Sequence, residues 1–122
     1  MDAVEALKVA VSAAGSQNEL GRQIGGYSQN AIHQAMKAGR MSAVMARKID
    51  EWSDGALSRH DMCPDAFGAP PPNVASMNFT AGRTQDGTVI VVDRETGLST
   101  SGLTLAEAIQ ELRRRLAGRQ VA

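Results

Sequence analysis

The sequence predicts an α+β protein: an N-terminal bundle of four to five helices followed by a small antiparallel β-β-β-α unit. Three observations carry this expectation. In the first half, apolar residues recur at helical spacing, punctuated by glycines and by serines placed to cap the next helix. The string Gly68-Ala69-Pro70-Pro71-Pro72-Asn73 then interrupts regular structure, because consecutive prolines favour an extended, semi-rigid spacer. Beyond it stand a hairpin signal, Asp86-Gly87, and a β-branched run, Thr88-Val89-Ile90-Val91-Val92, that suits a strand. These divide the chain into a helical domain over 1–67, a proline-rich linker over 68–75 and a β-β-β-α dimerisation domain over 76–122.

The first helix is expected over 2–14, with Val4, Leu7, Val11 and Ala14 on one face and Gly15 ending it. Ser16 caps a short second helix that turns Leu20 and Ile24 inward, and Glu19 stands where a capping box reaches back. Gly25-Gly26 breaks that helix. A third runs over 28–38, capped by Ser28, with Ile32, Ala35 and Met36 facing in and Gly39 closing it. Ser42 opens a fourth, with Met45, Ile49 and Trp52 on one stripe, and a turn or short helix over 58–63 stops at Pro64. In the second half, strands are expected over 77–84, 88–92 and 98–101, with Glu95-Thr96-Gly97 as the second turn. Thr104-Leu105-Ala106-Glu107 is a capping box. The helix it starts carries Leu105, Ile109, Leu112 and Leu116 inward, with Arg113, Arg114, Arg115 and Arg119 as a solvated C-terminal end. A unit of about 45 residues buries little core, so it is expected to pair with its own copy.

Composition narrows the function. The chain has 122 residues, 43% hydrophobic but only 3% aromatic, so its core is built from Leu, Ile, Val, Met and Ala, with Met36, Met41, Met45 and Met62 as fillers and Trp52 as a lid. The one cysteine, Cys63, makes no internal disulfide, and with two histidines it makes a poor zinc site. Cys63 reads as a semi-buried small hydrophobe, and His60 is assigned no role. No metal or cofactor is expected. Neither a membrane-length apolar run nor a signal-peptide pattern is present, which implies a cytoplasmic location. There is no Ser-His-acid spacing, phosphate loop or metal cluster, so no enzyme is expected; the glycines of residues 21–26 lie between helices and are no dinucleotide fingerprint.

The net charge is zero, yet no acid occurs between Glu19 and Asp50, a window that holds Arg22, Lys37, Arg40, Arg47 and Lys48. A neutral chain can therefore present a positive face. Residues 17–38, two short helices joined by a glycine turn, have the layout of a helix-turn-helix, with Gly21 small enough for close helix approach. The exposed face of the second helix carries Gln29, Asn30, His33, Gln34 and Lys37. Gln and Asn amides pair with adenine in the major groove, and Lys reaches guanine or a phosphate. Tyr27, Ser28 and Arg40 suit backbone phosphates.

Residues 25–40, Gly-Gly-Tyr-Ser-Gln-Asn-Ala-Ile-His-Gln-Ala-Met-Lys-Ala-Gly-Arg, resemble the turn and recognition helix of Cro-type phage repressors. The wider stretch 6–67, ending in Cys63-Pro64-Asp65-Ala66-Phe67, resembles the Cro/YdaS-like family of small helix-turn-helix regulators and antitoxins. The resemblance implies base contacts by Gln29, Asn30, His33, Gln34 and Lys37 and backbone contacts by Ser28 and Arg40. The chain departs from the family at two points: Gly25-Gly26-Tyr27 adds a residue to the turn, leaving the register of base contacts open by one position, and Cys63 replaces the family's usual Arg. Residues 88–116 are similar to the strand-helix half of HicB-type antitoxin domains, which implies a dimerisation or partner-binding unit. The expectation is a repressor that binds operator half-sites on double-stranded DNA as a homodimer. The alternative is an antitoxin that neutralises a toxin protein and autoregulates its operon.

Overall fold

In the computed structural model, six helices, three strands and a seventh helix follow one another among the described residues, 2–69 and 78–121. The prolines of the expected linker, the first residue of the expected first strand (Met77) and the side chain of Arg119 lie outside the described part. The helices of the first half are α1 (Ala3–Ala14), α2 (Gln17–Ile24), α3 (Gln29–Ala38), α4 (Ala43–Trp52), α5 (Arg59–Met62) and α6 (Pro64–Phe67). Asp2, Ser16, Ser28, Ser42 and Ser58 each accept a backbone N–H from the first turn of the helix they precede, satisfying a donor that has no intrahelical partner.

Two local expectations are corrected and one is extended. Glu19 does not complete the capping box of α2; its carboxylate takes the Arg22 guanidinium at 2.5 Å instead. α5 ends before Pro64 as expected, and Pro64, which lacks an N–H and so suits a first-turn position, also opens a further short helix, α6. The buried face of α1 is also broader than a single stripe. Ala3, Ala6, Leu7, Val9, Ala10, Ala13 and Ala14 are buried, while Val4 and Val11 are only half-buried. α1 packs on α2, α3 and α5 on one side and on the sheet on the other, and its small alanines let both layers approach closely.

The sheet has β1 (Phe79–Arg83), β2 (Val89–Asp93) and β3 (Ser99–Gly102) in sequential antiparallel order. Its register aligns Phe79 with Asp93, and Ala81 with Val91 and Thr100, on the inner face. α1 covers β1 on this face, and α7 (Leu105–Val121) covers β2 and β3 with Leu105, Ala108, Ile109 and Leu112 buried. The two buried polar groups here are satisfied: Asp93 accepts from the Thr96 amide and hydroxyl, and Thr100 donates to the Ala108 carbonyl at 2.7 Å. One continuous core runs from Leu20, Ile32 and Ile49 through α1 to Phe79, Val91 and Leu112. Two further ties cross between the halves: Arg83 donates to the Ala14 carbonyl at 2.5 Å, and Arg113 pairs with Asp54 at 2.9 Å. The small sheet unit thus completes its core within the chain, with α1 as the shared wall.

Three carboxylates, Asp86 exposed and Glu19 and Glu111 half-buried, tie the fold to pH. The Thr84 hydroxyl and then the Thr88 amide hold Asp86 below its ordinary value in the hairpin turn, Arg114 and Arg115 do the same for Glu111, and Arg22 for Glu19. A carboxylate lowered in the folded state stabilises the fold above the unfolded pKa of about 4, and that contribution disappears as pH falls through the lowered value. The midpoint of thermal unfolding should therefore fall as pH drops below about 4. A midpoint that stays constant down to strongly acid pH would contradict these three contacts.

Candidate nucleic-acid interface

α2 and α3 form the expected helix-turn-helix. Leu20 and Ile24 on α2 are buried against Ile32 and Ala35 on α3, and Met36 is half-buried. The joining turn uses Gly25 and Gly26 at φ 94° and 84°, a backbone region that L side chains rarely adopt. Gly21 has a more specific role than general helix approach. A Cβ built on it would stand 2.1 Å from the Tyr27 carbonyl oxygen, so the turn folds back over the position a side chain would occupy. The Tyr27 amide in turn donates to the Gly21 carbonyl at 3.4 Å.

With its back fixed in this way, α3 turns an amide-rich face outward. Gln29, Asn30, His33, Gln34 and Lys37 are all exposed, as are Ser28 before the helix and Arg40 after it. Tyr27 alone among the expected site residues is half-buried. The Lys48 ammonium sits 5.3 Å from the Tyr27 ring centre and donates to the Gly25 carbonyl at 3.0 Å, so both residues hold the turn in place. The Ser28 hydroxyl accepts the Ala31 amide as the helix cap and keeps its own O–H to donate.

A shallow concavity of about 480 Å³ lies at the start of α3, lined by Ser28, Gln29, Asn30 and His33 together with Gln17 of α2. Gln17 was not among the expected site residues. Its amide reaches the Met36 sulfur at 3.4 Å, which orients it beside α3. No periodicity marks it, because the turn rather than helical spacing brings it there.

The electrostatics are more mixed than the acid-free window implies. Arg22 is neutralised by Glu19, and Lys48 is engaged with the turn. Arg40 lines a concavity with Asp2, Asp61 and Asp65, acids from either side of the window that the fold brings beside it. Lys37 and Arg47 are exposed and make no ion pair among the described residues. The positive character next to the amide face therefore rests on Lys37, Arg47 and a partly compensated Arg40. Among the described residues no three His, Cys, Asp or Glu side chains are grouped to hold a metal ion, and no helix is long and apolar enough to cross a membrane.

Fold and site together define an α+β protein whose helix-turn-helix presents a rigidly backed, amide-rich helix to solvent. No protein-family model, curated protein or solved structure matches the chain.

Proposed function

We propose that the protein is a sequence-specific double-stranded DNA-binding repressor of Cro type, inserting the N-terminal half of α3 into the major groove. The observation that carries this reading is the division of α3 itself: Ile32 and Ala35 are buried, while Gln29, Asn30, His33, Gln34 and Lys37 are all exposed. Three amides and a lysine on one rigid face can match the donor and acceptor patterns of base edges. A face evolved for solubility alone favours Glu-Lys pairs. One such helix reads only a few base pairs, so a homodimer on two half-sites about 34 Å apart would supply the remaining specificity. No catalytic chemistry is assigned to the protein.

Replacing Gln29 or Asn30 by alanine should cost about 1–3 kcal/mol on the cognate site and relax specificity at one base position. Arg40→Ala should weaken binding to all duplexes alike and lower the dependence of log affinity on log salt by about one. Binding titrations at several salt concentrations measure both. If the two kinds of variant behave identically, the assignment of base and backbone contacts is wrong.

A second reading, an antitoxin that neutralises a toxin and represses its own operon, is favoured by Leu103 and Ile90. These apolar side chains are 78% and 38% exposed on the C-terminal unit. Copurification with a second small protein that Leu103→Asp abolishes and Gln29→Ala leaves intact would support it. Its absence from cells that express the whole operon would count against it.

A further inference from the structure

We propose that the cleft between the helical half and the sheet binds a small amphiphilic carboxylate, with an aliphatic or aromatic body and one negative end. The cleft holds about 360 Å³, within the lower range of small-molecule sites. One part of its wall is apolar, formed by Trp52 from the end of α4, Leu103 from the connection between β3 and α7, and Leu105 at the start of α7. The other part is polar and contains no acid: Arg22 and Gln23 from α2, and Arg83 from the end of β1. An apolar body would lie against the first part and a carboxylate against the second.

Arg83 is the anchor. Arg22 is already paired with Glu19, whose charge also reaches Arg83, whereas Arg83 itself spends one nitrogen on the Ala14 carbonyl at 2.5 Å and retains other N–H donors. Arg83 is exposed, and its side chain runs past two glycines that leave room for it. A Cβ on Gly15 would lie 3.4 Å from its Cδ and Nη1, and one on Gly87 3.5 Å from its Nη2. The hydrogen bond to Ala14 restrains the guanidinium at the mouth of the cleft, which reduces the freedom it loses on meeting a carboxylate. Leu103, 78% exposed, is an apolar lip that a bound body would cover.

The chain has a single tryptophan, and it lines the cleft, so its emission reports occupancy directly. Titration of the full chain with octanoate should give a saturable change in Trp52 emission and a thermal midpoint that rises with ligand concentration. Octanol, the uncharged analogue, should bind about tenfold or more weakly, and Arg83→Gln should weaken octanoate by a similar factor. Leu103→Gln, at a position exposed enough to tolerate the change, should also weaken octanoate and provides the test if Arg83→Gln does not fold. A non-saturating response, equal binding of octanol, or unchanged octanoate affinity in either folded variant would overturn the proposal. All of these measurements use the free protein, so they stand or fall separately from DNA binding.

Discussion

Gly21→Ala is expected to abolish specific DNA binding, dropping affinity toward the non-specific level, a loss of about a thousandfold or more. The added methyl would stand 2.1 Å from the oxygen and 2.9 Å from the carbon of the Tyr27 carbonyl, both backbone atoms that cannot rotate away as a side chain could. Alanine is the better helix former by about 1 kcal/mol, but overpacking against a fixed neighbour costs up to about 3 kcal/mol, so the net effect is destabilising. The structure relieves the clash only by moving the turn. α3 begins one residue after that turn's Ser28 cap, so moving the turn displaces the helix that carries Gln29 and Asn30. Duplex-binding titrations alongside thermal unfolding separate the two effects. Wild-type affinity in Gly21→Ala would show that α3 is not positioned by this turn.

Phe79→Ala is expected to destabilise the protein by about 3–5 kcal/mol, the usual loss for truncating a fully buried aromatic side chain. Phe79 is completely inaccessible, on the β1 face that α1 covers. Because α1 is also the wall against which α2, α3 and α5 pack, the loss should spread through the whole core rather than stay in the sheet. Denaturant unfolding followed by Trp52 emission, which senses the helical half, and by far-ultraviolet circular dichroism should give coincident transitions in wild type and variant. A variant in which Trp52 unfolds at the wild-type midpoint while the circular dichroism shifts would contradict the shared core.

The features that were legible in the sequence are those set by neighbours along the chain. Ser16, Ser28 and Ser42 announced their helices because capping depends on residues two or three positions away. The in-out division of α3 was legible because Ile32 and Ala35 repeat at helical spacing, and the β-branched residues around Val89–Asp93 marked the central strand. What escaped the sequence was set across the chain. The wide buried face of α1 follows from β1, which arrives from the far side of the proline string and covers Ala-rich positions that no amphipathic stripe would select. The acids around Arg40 come from Asp2, Asp61 and Asp65, so a window free of acids along the chain is not free of them in space. Glu19 could cap its helix or pair with Arg22, and a sequence pattern alone did not decide between two partners of similar reach. The same limit applied to Gln17, which joins the α3 concavity only once the Gly25-Gly26 turn is formed.

Whether α3 reads base sequence is tested most directly by selecting bound duplexes from a random pool with the wild-type protein and with Gln29→Ala. Wild type should enrich a short motif, and Gln29→Ala should enrich the same motif with the preference relaxed at one base position. Failure of the wild-type protein to enrich any sequence, or an identical motif from both proteins, would show that α3 does not read bases.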